Sequence, residues 1–296
     1  MARVRTNVHP SQWRGGSYTL EEKAALAEQY GYDGFDCGVA DLQRHAGGDM
    51  NAVRDCLAKH KVELASVTGV LGAPLFAADA EWEAAIRQVG RRASIAVAAG
   101  GTYTNSVIFN RAVQPKEELW PQTVRRLRQV AQELDGAGVR LGIKYLGVRS
   151  LRPERPYVFV QSLAEILQLF QEAQAPRLGL IIDAYHWYAA GDSLEAIRQL
   201  PAERLVAFHL SDAKDIPLPD LQDQERLLPG EGAIPLKALL QAALDAGFDG
   251  FDGLEVLGPR VAAMDAATYL QDGMAALRTV LPHWRGLPNR SVTASQ

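Results

Sequence analysis

The sequence predicts an α/β fold built as a single parallel (β/α)8 TIM barrel with outer helices, and three observations carry that expectation. Eight short segments of strand character alternate with longer segments of helical period along nearly all of the 296 residues. No linker-like gap divides these units, and such barrels commonly run to about 250 residues as one domain. No Gly-x-Gly-x-x-Gly run follows the first strand, which counts against an open dinucleotide-binding sheet.

In chain order the strands are expected near residues 4–8, 34–37, 63–67, 106–109, 140–145, 178–183, 205–210 and 253–256. Between them, Trp82, Ile86, Val89, Ala93 and Ala96, and later Trp120, Val124, Leu127, Ala131 and Leu134, fall at the three- and four-residue steps of an amphipathic helix. Ser162 and Ser193 are placed to cap the helices they precede, and Pro235 suits a first helical position. Gly31, Gly138 and Gly247 suit the left-handed exit from a helix. The polar stretch 217–232 after the seventh strand is expected to be a long loop able to cover a substrate. One barrel is expected over 1–285, with 286–296 a flexible tail. The run Gly31-Tyr-Asp-Gly-Phe-Asp36 recurs as Gly247-Phe-Asp-Gly-Phe-Asp252, which reads as one favourable helix-to-strand turn used twice more readily than as duplicated halves.

Composition narrows the function classes. With 47% hydrophobic and 22% charged residues, and no apolar run long enough to span a bilayer, a soluble protein without a membrane partner is expected. The net charge of -4 is dispersed, with no basic stripe to meet nucleic acid. Cys37 and Cys56 stand alone and residues 1–13 hold no signal-type apolar stretch, so two free thiols in a cytoplasmic protein are expected.

Four apolar segments end in a polar residue: Lys144, Asp183, His209 and Glu255. Alternate residues of a strand share a face, so Lys144 lies with Gly142, Asp183 with Ile181 and Gly179, His209 with Ala207, and Glu255 with Gly253. All four should face the barrel axis near its carboxyl mouth, above mostly small residues. Buried charges so grouped must pair, bind a cation or titrate together.

Around these residues the chain resembles the xylose-isomerase-like barrel superfamily, whose members include sugar phosphate isomerases and epimerases, D-tagatose 3-epimerase, inosose dehydratase and endonuclease IV-type repair enzymes. The segments that carry the resemblance are Leu178-Gly-Leu-Ile-Ile-Asp-Ala-Tyr-His-Trp-Tyr188, Phe208-His-Leu-Ser-Asp-Ala213, Leu228-Pro-Gly-Glu-Gly-Ala-Ile-Pro-Leu236 and the stretch 247–255. The resemblance implies one divalent cation (Mn, Mg, Co or Zn) held by Glu, Asp, His and Glu from strands five to eight. The last three match Asp183, His209 and Glu255; the first position holds Lys144. The resemblance also implies that two glutamates move protons on either side of a substrate carbon, and that His186 contacts a substrate oxygen. The extra His and carboxylate ligands of the repair branch are not apparent.

An ammonium at 4 Å from a divalent cation costs on the order of 8 kcal/mol at an effective dielectric near 20. Lys144 is therefore neutral, or swung away, or stands in for the metal by pairing with Asp183 and Glu255. Without a metal, Glu255 is the candidate base beside a carbonyl, with Lys144 and His186 stabilising an enolate oxygen. A neutral Lys144 would instead allow a Schiff base, and Asp183, His209 and Glu255 alone could still hold a catalytic ion.

These residues predict an isomerase, epimerase or dehydratase acting on a carbohydrate or polyol, compatible with a homo-oligomer. The alternatives are a non-catalytic or complex-dependent barrel, and a keto-sugar lyase or C-glycoside deglycosidase. Trp13 and Trp187 are candidates to stack on substrate, and Lys214 to contact it, with packing and a solvated pair to Asp212 as the plainer readings. Glu231 is expected to stabilise its Gly-rich loop. Arg149, Arg152 and Arg155 are compatible with a solvated charge run or with an anionic ligand.

Overall fold

A computed structural model describes residues 4–13, 17–175 and 178–281. Eight parallel strands form a nearly closed barrel: β1 (Arg5–Val8), β2 (Gly34–Gly38), β3 (Glu63–Thr68), β4 (Tyr103–Ile108), β5 (Arg140–Tyr145), β6 (Leu178–Asp183), β7 (Leu205–Leu210) and β8 (Phe251–Leu254). Their order is β3-β2-β1-β8-β7-β6-β5-β4, so chain neighbours are sheet neighbours except β3 and β4, which stand at the two ends of the order and meet at the seam. At the seam Asn105 Nδ2 donates to Ser66 Oγ at 3.3 Å, side chain to side chain. The tail expected at 286–296 lies outside the described residues. No helix among the described residues is long and apolar enough to cross a membrane.

The expected strands are all present, with shifted bounds at β4 and β8. Strand β4 starts three residues earlier than expected because Tyr103, Thr104 and Asn105 do not look like an apolar strand. Asn105 tolerates its place because it finds a partner across the seam, whereas Thr104 Oγ1 is buried without one. Ser162 and Ser193 cap as expected, accepting from Glu165 N and Ala196 N. Pro235 precedes the first helical residue instead of occupying it.

The two Gly-x-Asp-Gly-Phe-Asp turns share a backbone need but not a role. Gly31 (φ 79°) and Gly247 (φ 90°) both take the left-handed conformation that glycine tolerates. Yet Phe35 packs in the outer core, whereas Phe251 belongs to the cluster inside the barrel. The repeat is thus out of phase with the sheet faces, as a one-residue slip makes it, and is a reused turn rather than a structural duplication.

The barrel floor is a separate apolar cluster of Ala65, Tyr103, Ile181, Val206, Ala207 and Phe251. An extra residue in β7 shifts its register against β6, pairing Leu180 with Leu205 but Ile181 with Ala207. This bulge turns both Val206 and Ala207 inward and brings His209 opposite Asp183. Glycine follows from the crowding: a Cβ on Gly142 would fall 2.8 Å from Ile181 Cγ1, and one on Gly179 2.3 Å from Val206 Cγ2. The small residues under Lys144 and Asp183 therefore make room for the floor on which the polar cup rests.

Candidate active site

Lys144, Asp183, His209 and Glu255 converge at the carboxyl mouth, as strand parity requires. Lys144 Nζ donates to Glu255 Oε2 at 2.5 Å and to Asp183 Oδ2 at 3.3 Å, and lies 3.5 Å from His209 Nδ1. His209 Nδ1 is also 2.8 Å from Glu255 Oε2. Glu255 sits one residue beyond β8, where its N–H continues the ladder to Leu210 O at 3.0 Å. Asp183 caps the helix Ala184–Ala190, accepting from Tyr185 N at 3.0 Å and His186 N at 3.4 Å through Oδ1. That cap fixes the carboxylate plane and leaves Oδ2 to cationic side chains, Lys144 among them.

Two further members were not singled out from the sequence. His9, one residue beyond β1, has Nε2 at 4.0 Å from Glu255 Oε1, and its ring meets that of His209 edge-on at 4.6 Å between centroids. Arg226 enters from the long loop after β7 and is buried in the cup, with Nη1 at 3.2 and 3.1 Å from the two Asp183 oxygens. Its Nη1 also donates to Glu255 O at 3.1 Å, and its Nη2 donates to Asp223 Oδ1 at 2.7 Å and lies 3.1 Å from His186 Nε2. The loop is thereby tied to the cup through a cation. His9 carries the same signal as the other four, a polar residue directly after an expected strand, and could have been found by it. Arg226 stands among loop acids with no periodicity to mark it; its position beside Leu-Leu-Pro-Gly is the only cue.

The charges hold one another ionised. Burial works against the Lys144 ammonium, but Glu255 and Asp183 outweigh it and raise its pKa above the ordinary lysine value. Burial likewise opposes Asp183, where Arg226, His186 and Lys144 prevail and lower the pKa. For Glu255 burial is overcome by Lys144, His9 and His209, and the carboxyl is held well below its usual range. Burial pushes His9 down to about 3 and His186 down to about 4, so both imidazoles are neutral at pH 7.

Those two histidines set an expected pH dependence. Their folded pKa values lie below the unfolded value near 6.5, so the unfolded chain binds more protons below that pH. Stability should be full above about pH 6.5 and fall as the pH drops toward about 4. Further loss should follow as Asp183 and Glu255 protonate through and below the ordinary carboxylate range. Urea unfolding at pH 7 and pH 5 measures it, and equal stabilities at the two values would count against the buried neutral imidazoles.

The remaining expected site residues are placed as follows. His186 faces Arg226 and is 3.6 Å from Asp223 Oδ1. Trp13 packs on Tyr18 and Phe35 at 5.5 and 6.5 Å between centroids, and lines a cavity of about 540 Å³ with Lys23 and Arg44. Trp187 is buried at 3% exposure, with no face open to a ligand. Lys214 pairs with Glu225 at 2.6 Å on the exposed loop, not with Asp212. Asp212 itself is buried and accepts from Ala213 N, Gly230 N and Ile234 N, each at 2.9 Å, which makes it the loop's internal anchor. Glu231 stabilises its loop as expected, accepting from Leu228 N at 3.1 Å. Cys37 and Cys56 are free and buried.

A divalent cation does not fit this donor set. Lys144 Nζ bonds to both carboxylates expected to ligate it, and Arg226 takes both oxygens of Asp183. His9, His209 and Glu255 do place one donor each within 4.8 Å of one another, but Lys144 Nζ touches two of those three side chains. Changing a glutamate to a lysine raises the local charge by two units, the charge a divalent cation would otherwise supply.

Residues 24–280 match the family described as xylose isomerase-like TIM barrel. The chain belongs to that family. Among xylose isomerase-like proteins it is 29% identical to a xylose isomerase domain protein from Alicyclobacillus acidocaldarius, with a TM-score of 0.84 over 94% of this chain and 98% of the other. It is 26% identical over 156 residues to an inosose isomerase of Bacillus subtilis, covering 53% of this chain and 54% of that protein. A 3-dehydroshikimate dehydratase of Pseudomonas putida is 24% identical over 153 residues, covering 51% of this chain and 23% of the relative. The chain thus spans about half the length, or less, of these curated relatives.

Proposed function

We propose that the protein is an isomerase of keto-sugars or keto-polyols, working by proton abstraction next to a carbonyl, with the Lys144 ammonium in the role that a metal ion plays in other barrels of this family. The observation that carries the proposal is Lys144 Nζ placed between Glu255 Oε2 at 2.5 Å and Asp183 Oδ2 at 3.3 Å. The substrate's carbonyl oxygen accepts a hydrogen bond from Nζ, and in doing so weakens the Lys144 hold on Glu255. Glu255, held acidic by that contact, becomes the stronger base. It takes the proton from the neighbouring carbon; the C–H electrons form the C=C bond, and the carbonyl π electrons pass to oxygen as an enolate opposite the ammonium. Return of a proton to the same carbon on its opposite face gives epimerisation; where that carbon bears a hydroxyl, its O–H proton passes to the enolate oxygen, the C=O forms there, and a proton returns to the former carbonyl carbon, which gives isomerisation. Loss of a β-hydroxyl as water, the chemistry named for the dehydratase relative, shares the same first step.

The raised pKa of Lys144 speaks against a Schiff base, which needs the free amine. A non-catalytic barrel is favoured by one feature, the closure of Lys144 and Arg226 onto Asp183, Glu255 and Asp223 within the protein itself. Proton exchange separates the two. In D2O with EDTA, NMR of an inosose and ketohexose panel should show enzyme-dependent loss of the proton beside the carbonyl, undiminished by chelation. No exchange with any substrate would favour the non-catalytic barrel, and exchange appearing only on adding Mn, Co or Zn would refute the ammonium's role.

A further inference from the structure

Beyond the cup, the arginines that follow β5 form a second constellation at the mouth. Alternation along β4 puts Phe109, one residue past the strand, on the lumen side with Asn105 and Val107, and all three are partly exposed. The Arg152 guanidinium lies over the Phe109 ring at 3.7 Å from its centroid, and that of Arg155 at 5.1 Å from the same ring. Two cations on one ring repel each other, and the local acids do not compensate Arg152. Glu154 is 3.6 Å from Arg155 Nε, whereas the Arg152 side chain makes no hydrogen bond or ion pair among the described residues, its carbonyl alone accepting from Arg155 N at 3.1 Å. Its Nε is buried with no partner. Burial, and then Arg155, lowers its pKa. Its backbone is in the left-handed region at φ 58°, one of few non-glycine residues there.

This strained arginine is held, not loose. Asn110 Nδ2 donates to Val148 O at 2.8 Å and to Leu151 O at 3.2 Å, fastening the segment to the end of β4. Ser150 Oγ donates to Leu221 O at 3.0 Å, joining it to the loop that carries Arg226 into the cup. A buried guanidinium nitrogen without a partner, on an aromatic platform and a strained but fastened backbone, is what an absent oxyanion would complete.

We propose that Arg152, laid on Phe109, receives an oxyanion borne by the substrate, a carboxylate or a phosphate, at the β4–β5 side of the mouth. The inference rests on the proposed keto substrate lying over Lys144 and makes that substrate acidic at its far end. Arg152 is then a specificity residue, and neutral keto-sugars are poor ligands.

The test is a binding measurement that needs no turnover. Calorimetric titration compares 3-oxocyclohexane-1-carboxylate with 3-(hydroxymethyl)cyclohexanone, which differ in the charged group. The carboxylate should bind about tenfold or more tightly. Arg152→Gln should erase that preference, as should Arg152→Asn, which tolerates the left-handed backbone and serves if the first variant folds poorly. Arg149→Gln, at an exposed position, should keep it. Displacement of the carboxylate by inorganic phosphate, or by acetate, identifies the oxyanion accepted; displacement by neither overturns the proposal. So does equal binding of the pair by the natural protein, or a preference that survives in a folded Arg152 variant. A preference without any proton exchange would sink the isomerase reading and leave this site standing.

Discussion

Lys144→Glu should bind one divalent cation per chain and should need it to be stable. The substitution puts a third carboxylate beside Asp183 and Glu255 and removes the ammonium that both of them contact. Breaking a buried pair by removing one partner costs about 3 to 5 kcal/mol, and the added like charge does not reduce that. A cation at a hundred times its Kd returns about 2.7 kcal/mol. Thermal unfolding with EDTA and with Mn should therefore separate widely for the variant and hardly at all for the natural protein. A variant as stable in EDTA as the natural protein would mean that Lys144 is not the cup's structural cation.

Glu255→Gln should lower the rate of proton exchange by about 10² to 10⁴, the range contributed by a positioned general base, with little change in fold. The amide keeps the shape and still has an oxygen to accept from Lys144. Lys144→Met should cost about 10² to 10³ through the lost electrophile, and added metal should not restore it, since methionine supplies no carboxylate at that position. Measuring both variants on the substrate of highest exchange rate distinguishes a base from a structural carboxylate. Retention of full exchange in Glu255→Gln would move the base elsewhere, with neutral His9 next in line at 4.0 Å from that carboxylate.

The parts legible in advance share one physical trait. Strands β5, β6 and β7 run apolar on both faces because helices cover one side and the barrel interior the other, so each shows in the sequence as an unbroken apolar run closed by a polar residue. The polar ends Lys144, Asp183 and His209 were therefore readable, down to the face they occupy. Strand β4 was harder because its lumen side is polar at Asn105, whose partner Ser66 is 39 residues away in sequence. Arg226 was harder still. Its place is set by Asp183, 43 residues earlier, and Asp223 on its own loop, and long-range ion pairs leave no local period. The bulge at Val206 changes which residues of β7 face inward and has no local sequence mark either.

Arg226 also bears on how the loop after β7 behaves. Its guanidinium ties Asp223 on that loop to Asp183 on the barrel, so opening the loop exposes a carboxylate that Lys144 alone must then neutralise. Closure and cup electrostatics are coupled in this arrangement, and Asp183→Asn should loosen the loop as well as the cup. Faster proteolysis between residues 217 and 232 in that variant is the expected result.

The claim on which the account turns is that an ammonium fills the place of the family's cation, and a crystal structure of the protein grown with millimolar Mn, with anomalous data at the metal edge, tests it most directly. The account predicts no anomalous peak among Asp183, His209 and Glu255, with Lys144 Nζ within hydrogen-bond distance of both carboxylates. A full-occupancy metal ligated by those three side chains, with Lys144 turned out of the cup, would contradict it.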